Sequence, residues 1–249
     1  MKIILSGSSG KMGQAVVRTA AECDDCCIVA GISKNLTDDD NFPTFVSPEN
    51  VNVDADVIID FSHPELLDSL LNFAISKKMP IVICTTGFSE AQVDKIKTAA
   101  NIIPIFFSGN MSIGINLLIE LAKKATLALG SNFDIEIIEK HHNQKIDAPS
   151  GTALMIADAV KSTNVRDYEY TYDRHMYRRA RRDNEIGIHS IRGGTMVGEH
   201  EISFIGKDEV LTISHTAQSK EIFAIGAINA AKFTVTQCAG LYSMADLLK

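Results

Sequence analysis

The sequence predicts an α/β protein: a doubly wound parallel sheet over roughly the first 112 residues, then an α+β domain on a second sheet, then a tail returning to the first domain. Three observations predict it. Short β-type runs alternate with amphipathic stretches as far as Ser112, the pattern of successive βαβ units. The glycine-spaced turn Gly7, Gly10, Gly13 joins the first apolar run to the first helical stretch. Beyond Ser112 come long helical segments, a polar loop and a β-hairpin.

In the first part, strands are expected at 2–6, 27–32, 56–61, 80–85 and 103–107. The first helix starts near Gly10, because Met12, Ala15, Val16 and Ala20 form one apolar stripe. A second opens at Ser62-His63-Pro64-Glu65, where proline and an acid suit a first turn, and it turns Leu66, Leu67, Leu70, Leu71 and Ala74 inward. The second part reads as a helix over 115–129, a strand over 133–139 and a helix over 151–160. It ends in a hairpin, 201–205 with 210–215, turning through Gly206-Lys207-Asp208-Glu209 and alternating Ile202/Phe204 and Leu211/Ile213 toward one face. The tail over 222–249 reads as helical, so the expected domains are 1–112 with 222–249, and 113–221.

The 249 residues carry a net charge of −7 and five cysteines at 23, 26, 27, 84 and 238. An odd, unpatterned cysteine set and the lack of an apolar leader point to a reducing cytoplasm. No apolar run reaches the ~20 residues of a membrane span, and the acidic balance disfavours a general nucleic-acid binder. The basic run at 174–182 is flanked by Asp173 and by Asp183-Asn184-Glu185, and Tyr177 is its only aromatic, so it reads as a solvated or interface-forming loop. Cys23-Asp24-Asp25-Cys26-Cys27 lacks a second ligand pair, and no zinc-type spacing accompanies the paired histidines, so no metal is expected.

Ser9 stands where a dinucleotide turn usually has its second glycine. On spacing alone, a phosphate cradle at the helix start and a plain strand-to-helix turn both remain open. After the second strand come Ser33 and Lys34, with no acid before Asp38. A hydroxyl beside an ammonium suits a 2′-phosphate and leans toward NADPH; ordinary loop residues would read the same way. The densest chemistry is at 139–152, where His141, His142, Lys145 and Ser150-Gly151-Thr152 fall together. Histidine titrates near neutrality, an ammonium holds an anion, and a helix start offers N–H groups to a carboxylate. His63, His175, His189, His200 and His215 have no motif of their own and are expected to be structural.

These residues carry a specific resemblance. The G-x-x-G-x-M-G turn at 7–13, Asp60-Phe61-Ser62, Cys84-Thr85-Thr86-Gly87, the segment from Ser108 to Gly114, E-x-H-H-x-x-K-x-D-A-P-S-G-T at 139–152 and Gly198-Glu199-His200 run through nearly the whole chain. Together they resemble the 4-hydroxy-tetrahydrodipicolinate reductase family, the dihydrodipicolinate reductases of bacterial lysine biosynthesis. The resemblance implies a Rossmann-type cofactor domain, a mixed-sheet substrate domain, a hinge between them and a homotetramer. It implies dehydration of a cyclic hydroxy-imine dicarboxylate and hydride transfer from NADPH or NADH to ring carbon 4. By motif position His141 is the proton donor and Lys145 the second catalytic residue, with His142, Ser150, Gly151 and Thr152 toward the substrate carboxylates. Gly7, Ser8, Ser9, Gly10, Lys11, Met12, Phe61, Ser62, Cys84, Thr85, Thr86, Ser108, Gly109, Asn110, Met111 and Lys220 fall on cofactor positions, to which the reading of the second strand's end adds Ser33 and Lys34. Ser9 and Cys84 replace the more usual glycines, and Lys220 an arginine, keeping charge without the planar fork. Competing readings are another NAD(P)-dependent imine or amino-acid dehydrogenase of the same plan, and a nucleotide-sensing regulatory protein without turnover.

Overall fold

A computed structural model describes residues 1–34, 41–176 and 178–248; Asp38, Tyr177 and Lys249 lie outside the described residues. In chain order the elements are β1 (Lys2–Ser6), α1 (Lys11–Ala21), β2 (Cys27–Ile32), β3 (Thr44–Phe45), β4 (Val57–Asp60), α2 (Leu67–Lys77), β5 (Ile81–Ile83), α3 (Glu90–Ala99) and β6 (Pro104–Phe107). There follow α4 (Ile113–Leu129), β7 (Asp134–His141), α5 (Gly151–Lys161), β8 (Glu169–Thr171), β9 (Glu185–Arg192), β10 (Gly198–Ile205), β11 (Val210–Ala217), α6 (Glu221–Thr234), β12 (Gly240–Tyr242) and α7 (Met244–Leu247). The chain separates into two compact units, Met1–Ile113 with Lys220–Lys249, and Gly114–Ser219.

The first unit holds a seven-stranded sheet in the order β12-β6-β5-β4-β1-β2-β3, every neighbouring pair parallel. The order reverses at β1, which has β2 on one side and β4 on the other, the switch point where doubly wound sheets bind ligands. Both faces are covered, which is why the strands read as unbroken apolar runs. Ile3, Leu5, Ile59, Val82 and Phe106 pack with Val16, Ala224, Ala227 and Ile228 on one face. Ile4, Ile58, Ile81, Ile83 and Ile105 pack with Leu67, Leu70 and Ile96 on the other. The second unit holds a mixed five-stranded sheet, β11-β10-β7-β9-β8, in which β10 runs antiparallel to both neighbours. One face, with Ile135, Ile137, Ile186, Ile188, Ile202 and Phe204, is covered by Leu118, Ala122, Ile156, Ala157 and Val160.

Where the sequence reading differs from the structure, the reasons are local. The second helix starts as a 3-10 turn, Pro64–Leu66, capped by His63, before α2 begins at Leu67. The tail contributes a helix and also β12, which adds beside β6; a three-residue strand is too short to show a period. Leu211 and Ile213 share one face of β11 as expected from their alternation, but Leu211 is 43% exposed because β11 is an edge strand beyond the helical cover. The helix α3 announces itself with the capping box Ser89/Gln92, a signal the sequence reading passed over. Within the basic run Arg174, Arg179 and Arg181 pair with Glu185, Glu136 and Asp134 across the sheet, while Arg179 stays exposed.

Candidate active site

In the first unit the expected cofactor residues gather at the carboxyl ends of the parallel strands. The turn 7–10 follows β1, Ser33 and Lys34 follow β2, Phe61 and Ser62 follow β4, Cys84 to Thr86 follow β5 and Ser108 to Met111 follow β6. Gly7 has φ +81, and a Cβ there would lie 2.4 Å from the Phe61 carbonyl oxygen, so strand, turn and the β4 loop meet without room for a side chain. At Gly13 a Cβ would lie 2.2 Å from the Gly7 oxygen, which ties α1 closely to the turn. Gly10 caps α1 with no side-chain hydrogen bond, and no acid occupies the first turn. The amides of Lys11, Met12 and Gly13 therefore have no intrahelical acceptor and sit at the positive end of the helix dipole.

The hydroxyls nearby are arranged rather than incidental. Ser8 Oγ is buried with no hydrogen-bond partner among the described residues. Ser9 Oγ lies 2.5 Å from Ser33 Oγ, so the serine in place of the second glycine bridges to the end of β2. The orphaned hydroxyl and the uncapped helix start fit a pyrophosphate-bearing dinucleotide. Ser9, Gly10, Lys11, Gln14, Arg18, Lys220 and Glu221 line a cavity of about 490 Å³. Lys220 is the N-cap residue of α6, and Arg18 in the same cavity pairs with Glu221 at 3.0 Å. Lys34 is exposed and lies 3.9 Å from Glu65.

Asp60, at the end of β4, organises two of these loops. Its buried carboxylate accepts from Ser62 Oγ at 2.5 Å, Ser62 N at 3.1 Å and Thr85 Oγ1 at 2.8 Å. Burial pushes its carboxyl up despite these donors, and burial with the Asp60 charge pushes the Cys84 thiol up. Cys84 and Met111 are buried core side chains, so only their backbone is left to serve a cofactor. Ser108 Oγ donates to the Asn110 carbonyl at 2.8 Å, and Asn110 Oδ1 accepts from Ser112 N at 2.8 Å, fixing the turn after β6.

In the second unit, β7 alternates buried and half-buried residues, which puts Glu139 and His141 on one side and Lys140 on the other. His141 Nδ1 lies 2.6 Å from Glu139 Oε2. Glu139 also receives both Arg192 amino groups, each at 2.7 Å, and the Ser150 amide at 3.1 Å. Burial works against its charge, but these donors and Ser190 outweigh it and hold the carboxyl at about 2. His141 is pulled below its usual value, first by burial and then by Lys145 and Arg192, with Glu139 opposing. His200 stacks edge-on against it at 5.2 Å and is pushed down to about 4, mainly by burial.

The loop after β7 carries the remaining expected groups. His142 donates its amide to Met196 O, Lys145 donates its own to His142 O, and Lys145 Nζ reaches Asp147 Oδ1 at 2.8 Å. Lys145, with a smaller contribution from the backbone of Asp147 and of Gly151 at the start of α5, holds the Asp147 carboxyl below the ordinary range. Ser150, expected to bind substrate, has its hydroxyl engaged instead: it caps α5 through Ala153 N at 3.1 Å and lies 2.9 Å from His200 Nε2. Gly151 is exposed and Thr152 half-buried at the same helix end. Sequence reasoning passed over Glu139, Arg192 and the His200–Ser150 bond as site features. The only metal-type grouping among the described residues is Cys23, Asp25 and Cys26, whose donor atoms lie within 4.8 Å, and Lys232 already sits 2.8 Å from the Asp25 carboxylate.

Comparison with known proteins adds an independent line. Residues 1–111 match the family model described as dihydrodipicolinate reductase, N-terminus, and residues 114–248 the one described as dihydrodipicolinate reductase, C-terminus. A 4-hydroxy-tetrahydrodipicolinate reductase of Caldanaerobacter subterraneus subsp. tengcongensis is 50% identical over all of this chain and 98% of its own length. One from Clostridium novyi is 46% identical with the same coverages. Among solved structures, a dipicolinate-bound dihydrodipicolinate reductase from Paenisporosarcina sp. TG-14 superposes with a TM-score of 0.81 at 26% identity, covering 98% of this chain and 97% of that one.

Proposed function

The chain belongs to the dihydrodipicolinate reductase family, and we propose that His141 is its proton donor, with Lys145 and the start of α5 as the clamp for a substrate carboxylate. It is an NAD(P)H-dependent oxidoreductase that converts 4-hydroxy-tetrahydrodipicolinate to tetrahydrodipicolinate in diaminopimelate and lysine biosynthesis. One observation carries the proposed assignment: His141 is held at Nδ1 by a buried carboxylate, which leaves Nε2 to transfer a proton.

The bound nicotinamide supplies the hydride for ring carbon 4. Once water has left that carbon, the conjugated imine that accepts hydride becomes an enamine, and its neighbouring carbon must take a proton. His141 gives that proton from Nε2. Its lowered pKa makes the imidazolium a stronger acid and a less populated one, so kcat is expected to fall as pH rises through the His141 value. An incoming dicarboxylate places negative charge beside the ring and favours the protonated form. Lys145 holds one carboxylate, helped by His142, Gly151 and Thr152; Ser150 contributes by capping the helix.

The first unit is the dinucleotide-binding domain and the second the substrate-binding and oligomerisation domain. The turn Gly7 to Met12, Phe61-Ser62, Cys84 to Thr86, Ser108 to Met111 and Lys220 hold the cofactor. The buried Ser33 beside Ser9, followed by Lys34, favours NADPH over NADH. A homotetramer is supported by the exposed apolar side chains of β11 and β9, Val210, Leu211 and Ile191. No helix among the described residues is long and apolar enough to cross a membrane, in keeping with a cytoplasmic biosynthetic enzyme.

The test supplies the condensation product of aspartate-semialdehyde and pyruvate and follows oxidation of each cofactor. His141→Gln and Lys145→Ala are each expected to lower kcat by roughly a hundredfold. Near wild-type turnover in either overturns its role, and a strong NADH preference overturns the cofactor assignment.

A further inference from the structure

We infer that Glu139 and Arg192 act as a positioning pair for His141: together they fix which ring nitrogen transfers the proton and how acidic it is. The inference rests on the reading of His141 as proton donor. Its basis is the geometry of three residues on neighbouring strands. Glu139 and His141 are two apart on β7 and share its buried side. Arg192, on β9, is the register partner of His141 in the parallel ladder, and its guanidinium reaches back to both oxygens of Glu139.

The carboxylate is fully buried and saturated. Oε2 takes His141 Nδ1 and Arg192 Nη1; Oε1 takes Arg192 Nη2 and the Ser150 amide. An ionised carboxylate accepts only, so the Nδ1 atom facing it carries the proton and the lone pair of the neutral ring lies on Nε2. Arg192 is itself anchored, through the Asp147 carbonyl at 2.6 Å and the Ile191 carbonyl at 2.8 Å. Such a pair is an uneconomical way to hold a sheet together, since well-packed apolar side chains do as well or better. Its position against the imidazole gives it a use.

The charges around the ring can be followed element by element. From its own strand Glu139 stabilises the imidazolium; burial, then Lys145 from the following loop and Arg192 from β9 oppose it, while His200 on β10, pushed down to about 4, and Ser150 at the start of α5 add no charge. Glu139 alone would make His141 a weak acid, charged across the neutral range. Burial is the largest effect opposing that field, and the Arg192 charge adds to it while its fork keeps the carboxylate in place. The pair thus separates orientation, which needs the carboxylate, from acidity, which needs the carboxylate muted.

A scaffold role predicts parallel losses in variants of either residue, whereas the positioning role predicts opposite shifts. Histidine ¹⁵N spectra of the unmodified enzyme, with His141→Gln for assignment, are expected to show neutral His141 protonated at Nδ1. Titration is expected to move its pKa down by about one unit in Glu139→Gln and up by about one unit in Arg192→Gln, with Arg192→Lys close to the parent. The limb of the kcat profile is expected to move with each, and Glu139→Gln to lose at least tenfold in kcat with KM little changed. If Arg192→Gln does not fold, Arg192→Lys and the tautomer of the unmodified enzyme still decide. An Nε2-protonated neutral ring, or shifts of the same sign in both variants, overturns the inference. If His141→Gln keeps full activity, the proton-donor reading falls instead; if it is inactive while Glu139 and Arg192 variants leave the His141 pKa in place, only the pairing falls.

Discussion

Gly198 is where the geometry around His141 is tightest, and Gly198→Ala tests it with one methyl group. The added Cβ would lie 2.9 Å from His141 Nε2 and 3.3 Å from Cδ2. Ordinary contacts begin near 3.5 Å, so the ring must retreat by roughly 0.6 Å. It has no free direction in which to do so, because Nδ1 is held at 2.6 Å from a carboxylate that Arg192 pins in turn. A misplacement of about 1 Å can cost a hundredfold in rate, so about tenfold or more is expected here, near 1.4 kcal/mol of barrier. Stability changes less. Overpacking costs about 1–3 kcal/mol, offset by about 0.4–1 kcal/mol because alanine restricts the unfolded chain at an ordinary strand position. The assay compares kcat, the dissociation constant for NADPH and the melting temperature of the two proteins. A fall in kcat with NADPH binding intact supports the geometry. A kcat within about twofold of the parent would mean that Nε2 does not sit against Gly198 during turnover, and the argument from ring position would fail.

Three further outcomes follow from the same contacts. Glu139 titrates at about 2 in the fold against an ordinary 4.5, so its stabilising contribution is complete above that ordinary value and is lost as pH falls through the window between them. Urea midpoints of the parent and Glu139→Gln are expected to converge across that window; a constant gap refutes the assignment. Gly7→Ala meets both a left-handed φ of +81 and a carbonyl oxygen at 2.4 Å, so it is expected to cost about 1–3 kcal/mol and to abolish the thermal shift on adding NADPH. An undiminished shift would remove the turn from the cofactor site. Asp147→Asn frees Lys145 from a pair with a half-exposed carboxylate, and calorimetry is expected to show pyridine-2,6-dicarboxylate binding about two- to fivefold more tightly. Weaker binding would mean that Asp147 serves to orient Lys145.

How far the molecule could be read from its sequence depended on how local each signal is. The buried strands β1 and β2 were legible to the residue, because a parallel sheet covered on both faces demands unbroken apolar runs. The strand β12 was not, because three residues with Leu241 exposed carry no period; only their pairing with β6 makes them a strand. In the site, His141 and Lys145 stand in one segment and were found together. Arg192 is 53 residues from the Glu139 it clamps, and β7 and β9 become neighbours only through a parallel crossover. Its arginine fork looked like any other surface charge. The ion-pair partners of the run at 174–182 were hidden for the same reason: Glu136 and Asp134 lie on β7, about 40 residues upstream, and only Glu185, at the start of β9, is close in sequence.

On the proposed assignments both units use a helix start after a strand to receive an anion, yet they prepare it in opposite ways. At α1, Gly10 supplies no capping side chain and no acid sits in the first turn, so the exposed amides await a charge from outside. At α5 two donors are already matched, Ser150 N by Glu139 and Ala153 N by Ser150 Oγ, and the Asp147 carboxylate stands close enough to the Gly151 amide to be stabilised by it. A pyrophosphate held by several amides gains from an uncapped end, since each unmet N–H is a donor waiting for it. A small dicarboxylate that must be held, reduced and released gains from an end with a built-in competitor, because displacing Asp147 subtracts from ground-state binding without touching the groups that move the proton. Tight binding of the substrate would lower KM without raising kcat. On this reasoning the Asp147 carboxylate keeps the clamp weak by design of the loop, and Asp147→Asn should tighten product binding as well as that of the aromatic dicarboxylate, slowing release at saturating substrate. A variant that binds both dicarboxylates more tightly while kcat stays constant would show that release is not what the competitor governs.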